Sequence, residues 1–254
     1  MLSLSNIRRD TLLGRALRLP LRTIPRSAEV RILQGPLRGK KWVVGSSIHR
    51  CWLGSYEAAK QKKILEWVRP GMTCYDIGAN VGFYSLLFSS LVGPAGSVVA
   101  FEPLPENALS LAYHLRINNC RNVAIRQAAV SDFDGFATFR RAEENAMGSL
   151  SDAGDLNVAC CRLDTLVESA EIPPPGLLKV DVEGAEAALL QGAERTILAH
   201  RPAIFVATHG APQHAACRRL LAGMDYRVFS LDNRAVDATD ELLALPRERR
   251  LSDD

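Results

Sequence analysis

The chain is expected to fold as an α/β domain on a doubly wound, mostly parallel sheet, preceded by an N-terminal extension. Three observations lead there. From residue 72 onward, short apolar runs with strand character alternate with helical stripes, the pattern of a parallel sheet with right-handed crossovers. A glycine-rich turn at 73–85, TCYDIGANVGFYS, joins the first of these strands to the first helix. The 254 residues, 47% of them apolar, suffice for the core of one such domain and not for two.

Residues 1–28 form a basic segment with six arginines against Asp10, a net charge of +5 that leaves −2 for the rest of the chain. Its leucines and arginines make a weakly amphipathic pattern with three open readings: a transit peptide, a segment resting on an anionic membrane through residues 1–24, or one packed on the domain or a partner. With an acidic body the chain is not expected to bind nucleic acid. Residues 29–70 carry two β-like runs around a Gly-Pro and Arg-Gly stretch, which suggests a hairpin. A helix over 58–68 follows, closed by Pro70-Gly71. Six cysteines form no C-x-x-C pair, no apolar run is long enough to span a bilayer, and no cleavable leader is seen, so a cytoplasmic setting is expected.

The core, residues 71–240, reads as strand 72–77, helix 81–91, strand 97–102, helix 105–118 and strand 123–129. FATFR (136–140) and VACCRL (158–163) look like extra strands bracketing a polar loop, ENAMGSLSDAGD, a candidate flap on the acceptor side or plain surface irregularity. GLLKVDVEGAE (176–186) then gives a buried strand and a helix start, AIFVATHG (203–210) another buried strand, and YRVFSLD (226–232) a further one. Residues 241–254 are expected to be a charged, loose tail.

The strand–turn–helix at 73–85 is a nucleotide cradle by its order of elements, or else an ordinary tight turn. Its glycines, Gly78 and Gly82, have three residues between them, off the G-x-G-x-x-G spacing of dinucleotide sites, and no Lys-Ser or Lys-Thr follows as in a P-loop. Asp76 at the strand tip would repel a pyrophosphate and suit an ammonium. S-adenosylmethionine has an amino group, a sulfonium and no phosphate, so it fits where a dinucleotide does not. Asp76, Gly78, Asn80 and Gly82 are therefore the candidate cofactor loop. Glu102, ending the second strand, is placed to accept both ribose hydroxyls. Ser131 and Asp132 are placed to meet the adenine, unless SDFDG is only a turn.

DIGANVGFYS, AFEP at 100–103, LDTL at 163–166 and LLKVDVEGAEAALLQGAE at 177–194 together resemble the FkbM-type S-adenosylmethionine-dependent methyltransferases, over most of residues 30–231. The resemblance implies the Rossmann-like class I methyltransferase fold and O-methylation of a hydroxyl on a sugar, glycolipid or polyketide-type metabolite. Many sequences of that type carry a Glu near the end of the strand at 203–207, where Ala207 or Thr208 stands here. That departure shifts attention to His209, whose ordinary pKa near 6.5 suits a general base, with a structural histidine as the alternative. Asp181 and Glu183 would orient the acceptor or bind a cation, while Glu183 alternatively caps the following helix. His209, His214 and Cys217 match no metal-site spacing, and no metal ligand is assigned. The rival reading is a catalytically silent nucleotide-binding or scaffold protein of the same fold, docking on a membrane or partner.

Overall fold

A computed structural model describes residues 23–141, 148–150, 154, 156–232 and 234–249. Most of the basic N-terminal segment, most of the polar loop at 144–155 and the end of the charged tail thus lie outside the described residues.

The chain divides into two units, residues 1–58 and 59–254. In the first, β1 (Glu29–Arg31) and β2 (Lys41–Val43) pair antiparallel with Glu29 opposite Val43, the hairpin expected from the sequence. A short helix, α1 (His49–Leu53), ends on Gly54 at φ 76°, where a Cβ would lie 2.0 Å from the Gln34 carbonyl oxygen. Only glycine fits there.

The second unit opens with α2 (Ala58–Trp67) and continues as β3 (Thr73–Ile77), α3 (Phe83–Val92), β4 (Ser97–Phe101), α4 (Pro105–Ile117) and β5 (Val123–Arg126). The chain then leaves this sheet and builds a second one from β6 (Ala129–Val130), β7 (Gly135–Arg141), β8 (Gly148–Leu150) and β9 (Leu156–Cys161), in the order β6-β9-β7-β8. It returns through α5 (Leu163–Glu168), β10 (Leu177–Val180), α6 (Glu186–Gly192), α7 (Glu194–His200), β11 (Ala203–Ala207), α8 (Ala211–Gly223), β12 (Tyr226–Ser230) and β13 (Glu241–Pro246).

Among the described residues the main sheet has seven strands, in the order β12-β13-β11-β10-β3-β4-β5. β11, β10, β3, β4 and β5 pair parallel, whereas β13 runs antiparallel to both its neighbours. β10 and β11 are buried at every position, as strands covered by helices on both faces must be. Tyr75, Ile77, Phe101, Leu178, Val180, Ile204 and Val206 from these strands pack with Leu189, Leu190 and Ile197 of α6 and α7 into the largest described core.

Two expectations are corrected here. The strand expected over 123–129 is interrupted, because the chain turns at Gln127-Ala128 and β6 pairs with β9 instead. The tail expected from residue 241 is not loose at its start: ELLALP forms β13, an interior strand buried at five of six positions. The Lys60 Nζ, in α2, lies 2.7 Å from Glu241 Oε1, which ties the helix before the core to that strand and places it within the second unit. Among the described residues no helix is long and apolar enough to cross a membrane.

Candidate active site

The strand order reverses between β3 and β10: from β3 the sheet continues to β4 and β5, and from β10 to β11. Loops leaving adjacent strands at such a point diverge and open a crevice beyond the carboxyl ends, where ligands of open α/β sheets bind.

The loop after β3 is held close to its neighbour. Gly78, at φ 74°, would place a Cβ 1.8 Å from the carbonyl oxygen of Asp181, just past β10. Its left-handed backbone and this approach both demand glycine. Asn80 is also left-handed, at φ 49°; its side-chain oxygen accepts the Val81 N–H at 2.7 Å, and its own N–H donates to Glu102 Oε2 at 2.7 Å. Gly82 answers to packing: a Cβ there would lie 2.2 Å from Leu111 Cδ1 of α4, so it sets how closely α3 and α4 approach.

Glu102 follows β4 and is buried. Besides the Asn80 amide, its carboxylate accepts the Leu104 N–H at 3.0 Å and the Asn107 Nδ2–H at 3.3 Å. Burial pushes its pKa up, against these three bonds and the Lys179 charge, which pull it down. A carboxylate has about four lone-pair sites, so capacity remains for a ligand hydroxyl.

Asp76, expected at the strand tip to meet an ammonium, is 0% exposed, accepting the Ser85 Oγ–H at 2.6 Å and lying 3.2 Å from Lys179 Nζ. Lys179 is its register partner on β10, and the same ammonium donates to the Gly78 carbonyl at 2.9 Å. The charge that was expected to select an ammonium is answered within the protein. Lys179 went unnoticed in the sequence, although a lysine inside a fully buried strand signals an acid nearby.

Ser131 and Asp132 lie past β6, off the main sheet. The Ser131 N–H donates to the Cys161 carbonyl at 2.9 Å, its hydroxyl to Asp132 Oδ1 at 3.2 Å, and its carbonyl oxygen would be 1.9 Å from a Cβ on Gly192. Next to Glu102 instead is the tip of β5, where the Arg126 carbonyl accepts the Glu102 N–H at 3.1 Å and the exposed Gln127 follows.

The residues after β10 and β11 do converge. His209 Nε2 lies 3.3 Å from Glu183 Oε2 and 3.7 Å from Asp181 Oδ1, while Nδ1–H donates to Glu186 Oε1 at 2.6 Å. Glu183 holds a left-handed conformation, φ 50°, with Gly184 at φ 101° after it. A non-glycine residue there stores on the order of 1–3 kcal/mol of backbone strain, which the surrounding structure must hold. Glu186, at the start of α6, is 0% exposed and also accepts the Gly184 N–H at 2.9 Å. In the sequence it reads as an ordinary acid complementing a helix N-terminus, because nothing local reveals that a histidine 23 residues later reaches it.

This setting overturns the ordinary titration expected of His209. The Glu186 hydrogen bond, reinforced by the charges of Glu183, Glu186 and Asp181, outweighs burial and raises its pKa to about 9. At neutral pH the imidazole is then protonated and is no base. Glu183 moves up instead, chiefly through burial with added repulsion from Asp181 and Glu186, against the pull of His209 and Lys179. Thr208 Oγ1 lies 3.0 Å from His214 Nδ1, and Cys217 is buried in the core, so neither His214 nor Cys217 joins the cluster.

The family model described as the methyltransferase FkbM domain matches residues 76–228. A hexuronic acid methyltransferase AglP of Haloferax volcanii is 30% identical over 131 residues, covering 51% of this chain and 53% of that protein. The 31-O-demethyl-FK506 methyltransferase FkbM of Streptomyces tacrolimicus is 28% identical over 160 residues, covering 50% of this chain and 61% of that one. The chain thus spans between half and two thirds of the length of these relatives. The crystal structure of a methyltransferase FkbM from Methylobacillus flagellatus superposes with a TM-score of 0.50 at 17% identity, over 78% of this chain and 53% of that one, a likeness of fold.

Proposed function

The chain belongs to the FkbM methyltransferase domain family, whose cofactor is S-adenosylmethionine, and from that premise we propose that it methylates a hydroxyl oxygen. The acceptor class is a sugar, glycolipid or polyketide-type metabolite. That class is supported by two relatives, one named for a hexuronic acid and the other for an O-methyl position of FK506.

The residues present fit the cofactor. A glycine cradle at Gly78, no lysine within the 78–82 loop to hold a phosphate, and a buried Glu102 with unused lone pairs suit a nucleoside without a pyrophosphate. Glu102 would hold the ribose diol and the backbone of 78–80 the amino-acid portion. The adenine is assigned to the tip of β5 at Gln127-Ala128 rather than to Ser131 and Asp132. Bound there, the cofactor supplies a methyl group on a sulfonium.

The single observation carrying the proposal is the Asp181–Glu183–His209 cluster, which adjoins the cradle through the contact of Gly78 with Asp181. An alcohol must lose its proton as it attacks. Glu183, 34% exposed and with its affinity for protons raised by burial, is the group to take it. The His209 imidazolium, oriented by Glu186, holds Glu183 and Asp181 in place beside the acceptor oxygen. Close alignment of hydroxyl and methyl group supplies the rest of the rate.

Calorimetry with S-adenosylmethionine and its demethylated product, followed by labelled-methyl transfer to glycans, glycolipids and hydroxylated metabolites, tests this reading. Binding of both and transfer to a hydroxyl acceptor are expected. An absence of binding would instead leave a silent member of the fold.

A further inference from the structure

We propose that Asp181, Glu183 and His209 form a site for a divalent cation of the manganese or magnesium type. One carboxylate oxygen from each acid and one imidazole nitrogen lie within 4.8 Å of one another. The two approaches to Nε2, 3.3 and 3.7 Å, are close to the spacing of about 3 Å between neighbouring ligands at roughly 2.1 Å from an octahedral ion. Two hard oxygens and one imidazole, with the remaining positions open, suit Mn²⁺ or Mg²⁺ better than the thiolate-rich sets favoured by softer ions.

Glu186 supplies the independent observation. It is wholly buried, and its Oε2 has no hydrogen-bond partner among the described residues. Its other oxygen fixes the imidazole with Nδ1 as the donor, which turns Nε2 toward Asp181 and Glu183. A carboxylate behind a histidine whose other nitrogen faces further carboxylates is the arrangement that orients metal-binding imidazoles. Three carboxylates surround one imidazole, and an ion bound at Nε2 would take the place of the proton the imidazole otherwise carries there. Lys179 does not fill the place: its ammonium is committed to Asp76 and the Gly78 carbonyl, and it approaches Asp181 on Oδ2, at 3.7 Å, away from the oxygen nearest His209. Asp181 and Glu183 are partly exposed, at 21% and 34%, so ions in solvent can reach their carboxylates.

The cation's part rests on the methyl-transfer reading, in which a bound ion would lower the pKa of the acceptor hydroxyl in place of proton transfer to a free Glu183; its binding does not rest on that reading. The experiment is therefore a titration of Mn²⁺ into the full chain, stripped with chelator and desalted, followed by calorimetry and by the paramagnetic signal of free Mn²⁺. Stoichiometric binding displaced by Mg²⁺ is expected. Asp181→Asn should abolish it, and Glu186→Gln, which leaves all three ligands in place, should weaken it about 10- to 100-fold. Circular dichroism melts of each variant guard against unfolding, and Glu183→Gln serves as a second ligand variant if Asp181→Asn does not fold. No saturable binding to the wild-type chain at millimolar Mn²⁺ or Mg²⁺ overturns the site, as does equal affinity in the folded ligand variants. S-adenosylmethionine binding in the same preparation separates the two ideas: cofactor binding without cation binding refutes only the metal site, and cation binding without methyl transfer to any acceptor refutes only the function.

Discussion

On the β3–β4 side of the crevice Asp76 and Glu102 are met by the chain's own donors, from Ser85, Lys179, Asn80, Leu104 and Asn107. On the β10–β11 side Asp181, Glu183 and Glu186 crowd a single imidazole. On the first side the acids are buried and met by fixed donors, with lone pairs of Glu102 left for a ligand; the second side is partly open and over-supplied with negative charge. A network of fixed internal donors makes a rigid mould, suited to holding a ligand whose shape never varies. An unbalanced cluster keeps reactivity, because its groups still seek a proton or a cation.

The two sides meet at one point, and the largest expected loss of cofactor binding comes from breaking it. Gly78→Val drives a branched side chain into the Asp181 carbonyl, 1.8 Å from where its Cβ must be, on a backbone at φ 74° that valine resists. Cofactor binding should vanish in calorimetry, and the melting temperature should fall by several degrees, since strain alone costs on the order of 1–3 kcal/mol. An unchanged melt with unchanged binding would mean the loops do not touch.

Next comes the pair that neutralises the first side. Lys179→Met leaves Asp76 buried with only Ser85 to bond it, and such half-pairs cost about 3–5 kcal/mol in urea unfolding. Combining it with Asp76→Asn should return much of that loss, because both charges are then gone. If the single variant costs under about 1 kcal/mol, the mould is not held by this pair.

The second side should respond differently. Glu183→Gln keeps size and shape but cannot take a proton, and turnover should fall by about 10²- to 10⁴-fold with cofactor affinity unchanged. Loss of affinity together with turnover would erase the distinction between the sides. Glu102→Ala should do the reverse: a rise of roughly 10- to 100-fold in the cofactor dissociation constant, from charge-assisted bonds of about 1.5–3 kcal/mol. Part of that rise would come through the Asn80 amide, which loses its acceptor. A change under about threefold would remove Glu102 from the ribose.

What could be read in the sequence follows from the range of each interaction. The alternation of strand and helix from 73 to 117 and the buried strands at 177–180 and 203–207 are local patterns, and the structure has them within a residue or two. β13 is not legible in the sequence because ELLALP is short and sits just before a charged tail; its place as an interior strand is set by pairing with residues 12–20 and 34–40 positions away. The cluster itself was half legible. Asp181, Glu183 and His209 could be placed at strand ends, but Glu186 as the partner of His209, and with it the histidine's charge, depends on a contact no spacing rule reveals. Lys179 opposite Asp76 is likewise a matter of register between strands a hundred residues apart.

The smallest effect expected is at Ser131 and Asp132, and it tests where the cofactor lies on the first side. A third strand running unbroken to residue 129 would place both at the adenine. In the structure that strand stops at Arg126, and β6 pairs with β9 in the other sheet, carrying Ser131 with it. There its amide, hydroxyl and carbonyl are engaged with Cys161, Asp132 and the backbone of Gly192. Replacing the hydroxyl removes one bond to a neighbouring, exposed carboxylate, so Ser131→Ala and Asp132→Ala should each shift the cofactor dissociation constant by less than about threefold, under ~0.7 kcal/mol. Gln127→Ala, at the tip of β5 beside Glu102, should weaken binding more than either. Calorimetry on the three variants decides the matter, because all three positions are at strand ends or turns and none removes core volume. A tenfold loss at Ser131 or Asp132, with none at Gln127, would return the adenine to the turn after β6 and mean that the crevice extends across both sheets.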